Sequence, residues 1–569
     1  MIRKALPVLF ILMFFFSKAS ANQVNISIQG VEGELEDNVD AYLQSIAEQD
    51  YSTSLQFQAR LERSFREALK ALGYYNAKFH FSVKKSDLII SIDPGDPMII
   101  EKSDLLIEGE AKQYKEFQQL IEESGLDKGA ILNHGLYEKL KSDLRNLALK
   151  KGYFNGQFIV HKLDVAPSIN QAFVSLHYAS GIRYQFGDTQ ILGSQIDLDR
   201  VVSLTPYEKK EFYDVTKVGE FNQSLSNTDW FSSVLVEPDL SELGDKRELP
   251  IKVSLAPQAR NKIETGLGYG TDVGVRGSLK WKKPWVNSRG HSFDSNLSLS
   301  DPEQSLKAGY SIPLQDVLKD FYRIQLGIKR RHDADTNSIQ SNLAFERHWI
   351  LDNGWHTKAY TRYLTENYTQ GLQDDSGQFL LLGMSFSRSR IRGNSMPLWA
   401  DRQDITIEYG DPSLLSDTRV TRLLAGTAWI RSIGDNHRGI FRIDAGANFA
   451  EGFDKLPPSL RFFAGGDSNL RGYGYKSISP TDSSGALTGA KYIATSTLEY
   501  QYRVYQDWWG AAFYDVGDAF NDSFEVKRST GFGVRWGSPL GAVRLDFAWG
   551  LDASEGSEFK LHFTLGPEL

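Results

Sequence analysis

Thr497-Leu498-Glu499-Tyr500-Gln501-Tyr502 decides the fold. Apolar and polar residues alternate along it, and a period of two puts them on opposite faces of a β-strand. The same alternation sets Ile405, Ile407 and Tyr409 against Thr406 and Glu408. It also sets Phe559, Leu561, Phe563 and Leu565 against Lys560, His562 and Thr564. Sixteen such segments start near residues 262, 273, 291, 303, 322, 336, 354, 376, 402, 418, 437, 487, 508, 525, 540 and 557. Of 11 tryptophans, only Trp230 precedes residue 281. Membrane barrels gather aromatic residues in interfacial girdles, whereas a soluble sandwich core needs few at strand ends. The pattern predicts a transmembrane antiparallel β-barrel of about 16 strands over residues 260–569, apolar face to lipid and polar face to lumen.

The bulk composition leaves room for this. At 569 residues the chain exceeds one ordinary domain. Its hydrophobic fraction is 41% and its mean hydropathy −0.36, and no run of eighteen apolar residues follows residue 22. A net charge of −8 gives no footprint for nucleic acid. Cysteine is absent, so no disulfide staples the fold. Arg3 and Lys4, the apolar run Ala5 to Phe16 and the small-residue site Ala19-Ser20-Ala21 predict a signal peptide over residues 1–21, with the mature chain starting at Asn22. The apolar run is short for a membrane anchor.

The first half repeats. Ser27-Ile28-Gln29-Gly30, Leu106-Ile107-Glu108-Gly109 and Gln190-Ile191-Leu192-Gly193 each end an early strand, and their glycines are 79 and 84 residues apart. Helical segments follow, then turns at Gly73-Tyr74, Gly152-Tyr153 and, degenerate, Asp229-Trp230, spaced by 79 and 77 residues. A period near eighty means three copies of one module. Phe57, Leu61, Phe65, Ala68, Leu69 and Leu72 form one helical stripe, as do Tyr137, Leu140, Leu144 and Leu147. Each copy reads β-α-α-β-β, an α+β unit with open sheet edges able to accept an added strand. The expected modules cover residues 22–98, 99–180 and 181–259.

Two places in the barrel stand out. Gly465-Gly466-Asp467-Ser468-Asn469-Leu470-Arg471-Gly472-Tyr473-Gly474-Tyr475 is too glycine-rich for a helix or a central strand. Its one cation, Arg471, has the fork of donors that suits carboxylates, and strand parity turns Glu499 and Asp515 toward the lumen. The stretch reads as a loop folded back into the barrel and pinned by charge. The second place is the closure. Gly266, Gly268, Gly270 and Gly274 weaken the first strand, and the last runs into Gly566-Pro567, where proline cannot donate to a ladder. Such a lateral seam could unzip and template an incoming strand. The glycines could equally serve only tight coiling.

Three such modules, a sixteen-stranded barrel, Arg471-Gly472-Tyr473 in the sixth outer loop and Phe513-Tyr514-Asp515-Val516-Gly517 resemble the outer-membrane assembly superfamily that includes BamA and TamA. In that superfamily the modules are polypeptide-transport-associated (POTRA) domains. Three modules and this length resemble its TamA branch. The resemblance implies an outer-membrane location with the modules in the periplasm. It implies that Arg471 bonds Glu499 and Asp515, and that β-barrel or autotransporter client proteins are assembled. It also implies a TamB-like periplasm-spanning partner on the POTRA modules, outer-membrane lipid as surroundings, and no cofactor. Two alternatives are a two-partner secretion pore and the outer-membrane end of a lipid-transfer bridge.

Enzymatic readings find little support. Gly466-Asp467-Ser468-Asn469 resembles the Gly-Asp-Ser block of some lipolytic esterases, but no Asp-x-x-His follows it. Lys476 lacks the glycine before it that a phosphate loop requires. The ten histidines form no H-E-x-x-H motif and no close pair, so no metal site is expected.

Overall fold

Sequence periodicity and backbone geometry agree strand by strand in the second half. The computed structural model describes residues 24–569 except 86, 244, 245, 334, 394, 395, 539, 540, 553–557 and 567–569. The expected signal peptide and Pro567 lie outside the described residues.

Three small sheets come first. β1 (Asn25–Gln29), α1 (Glu34–Gln44), α2 (Leu55–Ala71), β2 (Lys78–Lys84) and β3 (Asp87–Asp93) form a sheet of order β1-β3-β2, with β1 parallel to β3. The α2 stripe is real: Phe57, Leu61, Phe65, Ala68 and Leu69 are buried with Leu88, Ile90 and Ile92. Burying each large apolar side chain is worth about 1.5–3 kcal/mol. Ser54 caps the helix by accepting from the Phe57 amide at 3.3 Å. β4 (Ile99–Glu108), α3 (Lys115–Glu122), α4 (His134–Lys151), β5 (Gln157–Ala166) and β6 (Gln171–Ala179) repeat the arrangement in the order β4-β6-β5. β7 (Gln185–Leu192), α5 (Leu198–Val202), α6 (Val215–Asn227), β8 (Phe231–Pro238) and β9 (Glu248–Pro257) give a third sheet of order β7-β9-β8. The chain packs as two compact units. One holds the residues up to Asp188 with 207–218 and 238–251; the other holds 189–206, 219–237 and 252–569.

The turn that ends the helical part of each repeat needs a left-handed backbone. Gly73 and Gly152 supply it at φ 91° and 86°. Asp229 holds the same conformation at φ 60°. Aspartate tolerates that region better than most residues. The degenerate Asp-Trp turn therefore keeps the geometry of its Gly-Tyr counterparts. Its side chain adds something glycine cannot, pairing with Lys262 at 2.7 Å and Lys282 at 2.6 Å.

Sixteen antiparallel strands follow in strict sequence order. They are β10 (Lys262–Gly270), β11 (Gly274–Lys283), β12 (Ser292–Leu299), β13 (Glu303–Pro313), β14 (Asp320–Asp333), β15 (Thr336–Ile350), β16 (His356–Gln370) and β17 (Gln373–Arg392). The others are β18 (Trp399–Gly410), β19 (Val420–Ile433), β20 (His437–Ala450), β21 (Tyr492–Tyr505), β22 (Trp508–Phe520), β23 (Lys527–Ser538), β24 (Gly541–Gly550) and β25 (Glu558–Gly566). Parity decides exposure as expected for a barrel in lipid: Ile407 is 44% exposed on the outer face and its neighbour Glu408 3% on the inner one. Predicted strand starts fall within three residues of those observed except at β21, expected near 487 and found at Tyr492. The intervening residues belong to the preceding loop, where Leu487 bridges Thr481 and Ala490 bridges Phe462.

Candidate functional site

The connection between β20 and β21, residues 451–491, folds into the barrel. It carries its own small core of Phe462, Ala464, Leu470, Tyr473, Ile478 and Ala490. Leu456 and Leu460 fasten its first part against Leu364, Phe379, Leu381 and Val420 of the wall. The Arg461 guanidinium donates to the Leu456 and Thr488 carbonyls at 2.6 and 2.8 Å, tying the two ends of the loop together.

At its tip, Arg471 is buried to 5% exposure. Its Nε and Nη2 donate to the two oxygens of Asp515 at 3.0 and 2.8 Å, and Nη1 donates to Glu499 Oε2 at 2.7 Å. The Arg471 backbone amide adds a bond to Asp515 at 3.2 Å. The guanidinium plane lies 3.4 Å from the centre of the Phe513 ring, so Phe513 and Asp515 of one strand hold its face and its edge. The structure thus brings Arg471, Glu499 and Asp515 together.

Further partners complete the cluster. Arg535 donates to Glu499 Oε1 through Nε and Nη2 at 3.1 and 2.9 Å and pairs with Asp546 at 2.7 Å. Asp546 also lies 3.7 Å from Arg471. Gln501 donates to Glu499 and Ser529 to Asp515. Two guanidiniums and three carboxylates, all buried, leave one net negative charge dispersed over these donors. Gly472 follows because a Cβ there would run into the Trp549–Gly550 backbone of β24. Tyr473 then accepts from the Asp552 amide at 3.2 Å and donates to the Arg528 carbonyl at 3.3 Å.

The lock reaches the closure of the barrel. His562 of β25 donates from Nε2 to the Arg471 carbonyl at 2.7 Å, and its Nδ1 lies 3.3 Å from Asp272 in the turn between β10 and β11. Asp272 also accepts from the Asp467 amide at 2.8 Å, and Thr564 of β25 donates to Asp467 at 3.2 Å. Loop tip, first hairpin and last strand therefore share one network.

β10 and β25 are the two ends of the sheet order, and among the described residues no ladder joins them. The Arg276 guanidinium donates to the Leu565 carbonyl at 2.8 Å, the Phe563 amide to Thr271 Oγ1 at 3.3 Å, and the Tyr269 and Phe563 rings sit 6.4 Å apart. Gly266 and Gly268 stand opposite Ser278 and Arg276. A Cβ at Gly268 would meet Arg276 Nε at 2.8 Å, so this glycine gives the bridging arginine its room. Gly270 pairs with Gly274, which turns at φ 67°. Gly566 closes β25 opposite Ala542.

A sequence profile described as the Omp85 superfamily domain matches residues 260–568. The chain belongs to the Omp85 superfamily. A second profile, POTRA domain TamA domain 1, matches residues 25–94. Outer membrane protein assembly factor BamA of Nitratidesulfovibrio vulgaris is 24% identical over 373 residues, 62% of this chain and 46% of that protein. BamA of Neorickettsia risticii is 21% identical over 482 residues, 78% of this chain and 63% of that protein. This Omp85 chain thus spans between about half and under two thirds of the length of the curated relatives it matches. The crystal structure of BamA from Haemophilus ducreyi lacking POTRA domains 1-3 has a TM-score of 0.71 at 12% identity, covering 82% of this chain and 99% of that one, a likeness of fold.

The sequence reading of this Omp85 barrel did not reach Asp546, Arg535, His562 and Asp272. Parity turns Asp546, Arg535 and His562 inward, but their height along the barrel depends on register, which parity alone does not give, and Asp272 sits in a turn that parity does not reach. The histidines hold one departure too: His348 and His356, apart in sequence, share a hydrogen bond at 2.9 Å, and His348 pairs with Glu346 at 2.7 Å. Among the described residues no group of three or more histidine or carboxylate side chains converges on a metal-sized site.

Proposed function

We propose that this protein is an outer-membrane assembly factor of TamA type, which helps autotransporter-type β-barrel clients into the membrane by templating their strands at the β10–β25 seam. Its barrel spans the outer membrane, its POTRA modules lie in the periplasm and a TamB-like partner docks on them. The observation that carries the reading is that, among the described residues, isolated contacts and no ladder join the terminal strands, under a loop fastened to β25 and to the turn after β10. Backbone groups left unpaired in lipid are costly, so an opened edge would bind an incoming strand strongly. The energy for client folding comes from the client's own burial and pairing. The TamA-type match to the first module supports the branch assignment.

Closing the seam covalently tests this. The side chains of Tyr269 and Phe563 stand beside each other across it, ring centres 6.4 Å apart. Tyr269→Cys with Phe563→Cys should form a disulfide that stops client assembly in cells, and assembly should recover on reduction. Full assembly with the disulfide intact contradicts seam templating.

A further inference from the structure

The outer wall carries a second charged cluster, far from the lock and unused by it. On the lipid-facing side, Phe386 of β17 stands opposite Ile405 of β18, and two-residue steps toward the rim give Arg388 opposite Gln403, Arg390 opposite Asp401 and Arg392 opposite Trp399. The next strand continues the same face, with Asp401 opposite Trp429 and Trp399 opposite Arg431. Four arginines and two tryptophans therefore face lipid at one rim, the end of the barrel away from the 451–491 loop. This wall is half a turn from the seam, since β17 to β19 are the eighth to tenth of sixteen strands.

Outward arginines elsewhere on the wall pair one to one with acids, as Arg347 does with Asp320 at 2.9 Å and Arg528 with Asp552 at 2.6 Å, whereas this cluster holds an excess of cations. Asp401 accepts from Arg390 through Nε and Nη2 at 2.9 Å each and from Arg431 at 3.3 Å. Among the described residues Arg388 and Arg392 have no carboxylate within ion-pair distance, and Arg388 Nε has no hydrogen-bond partner. Four guanidiniums against one carboxylate leave three positive charges. The fork is also held in place: Arg392 and Arg431 each lie 4.5 Å from the Trp399 ring, Arg390 lies 5.3 Å from it, and Arg431 lies 4.7 Å from Trp429. Tryptophan at this depth marks the headgroup level, and guanidiniums bind phosphate oxygens bidentately.

We infer that this rim binds the phosphate of an anionic phospholipid of the adjoining leaflet, with Arg388 and Arg392 contacting it while Asp401 holds Arg390 and Arg431 in position. A net charge of +3 beside an apolar wall complements a phosphodiester whose acyl chains run along Phe386 and Ile405. A lipid held there anchors the wall opposite the seam. The inference needs only that the barrel sits in lipid, and it stands or falls apart from strand templating.

The test is native mass spectrometry of the full chain in detergent with dioleoyl phosphatidylglycerol or dioleoyl phosphatidylcholine. Wild type should retain phosphatidylglycerol in preference to phosphatidylcholine. Arg388→Gln with Arg392→Gln should lower phosphatidylglycerol occupancy about tenfold and leave phosphatidylcholine unchanged. Heat-modifiable gel migration reports whether that variant is folded. Arg392→Gln alone, at an exposed strand end, should show the smaller loss even if the double variant folds poorly. Equal retention of the two lipids by wild type overturns the proposal, as does undiminished phosphatidylglycerol binding in the variants. Competition by glycerol phosphate at the lipid's own concentration would reassign the site to a soluble phosphate and overturn the membrane source.

Discussion

Arg471 is held by four hydrogen bonds to two buried carboxylates and by one aromatic face. Removing it leaves Glu499, Asp515 and Asp546 with Arg535 alone. Breaking one side of a buried ion pair costs about 3–5 kcal/mol. Arg471→Ala should therefore lower the urea midpoint of the heat-resistant folded barrel strongly. Arg471→Lys, which keeps charge but not the fork, should fall between. A midpoint unchanged in Arg471→Ala would show that the network does not hold the barrel. Gly472→Ala tests the same lock without touching charge. Its Cβ would overlap the β24 backbone, so the tip must lift, and protease should cut the 465–475 stretch faster than in wild type. Equal cutting rates would remove close backbone approach as the reason for glycine. The lone cation of the glycine-rich loop and the inward parity of Glu499 and Asp515 are legible in sequence, whereas their pairing, among the many inward acids, is what the resemblance to the assembly superfamily implies. His562 and Asp272 are not legible there, because their meeting depends on how first and last strands stagger.

At the level of elements, the seam is short strands meeting through side chains. Arg276 of β11 reaches past Gly268 to the Leu565 carbonyl, so one guanidinium spans β10. Arg276→Ala should loosen the closure while leaving the lock. Hydrogen exchange should rise at the β10 and β25 amides and stay flat at β17 to β19; no rise would mean the closure does not rest on this bond. Glycine spacing exposes the weak strand in sequence. The bridging arginine is hidden there, because nothing in the β11 pattern separates Arg276 from an ordinary solvated charge. In the third module the reverse holds. Asp229 looks like a departure from the Gly-aromatic turn, yet a tolerated left-handed backbone preserves the turn and frees a carboxylate for Lys262 and Lys282. Trp230 follows it into a buried site, donating to the Gly290 carbonyl at 3.2 Å in the turn after β11.

Across the whole molecule, strand length is uneven. β10 has 9 residues and β12 has 8, against 20 in β17. Nine residues rise about 30 Å along a strand, and tilt reduces that to about 23 Å across the membrane, the low end of what a transmembrane strand needs. The modules carry a separate sensitivity. Tyr75 shares a 2.7 Å hydrogen bond with His134 where the first two repeats meet, and Asn76 bonds the Pro167 carbonyl and Asn170. Burial holds the His134 imidazole below its ordinary value of 6.5, against the opposing pull of Glu138 and Glu67. The unfolded joint then binds the proton more readily than the folded one. Stability contributed by neutral His134 is present above about pH 6.5 and is lost as pH falls toward the lowered folded value. Hydrogen exchange at the Met98 amide, which donates to the Gly73 carbonyl, should quicken from about pH 7.5 to about pH 5.5 after correction for intrinsic rates. No change would leave His134 without a part in the joint.

The central claim is that client strands pair at the β10–β25 edge, and Tyr269 reports on it directly because its ring faces lipid beside Phe563 at 49% exposure. A photo-crosslinker at Tyr269 in living cells should yield adducts with β-barrel client proteins, whose crosslinked residues lie in transmembrane strands. Adducts with lipid alone, or only with a periplasm-spanning protein, would contradict strand templating and favour transfer of lipid through the same barrel.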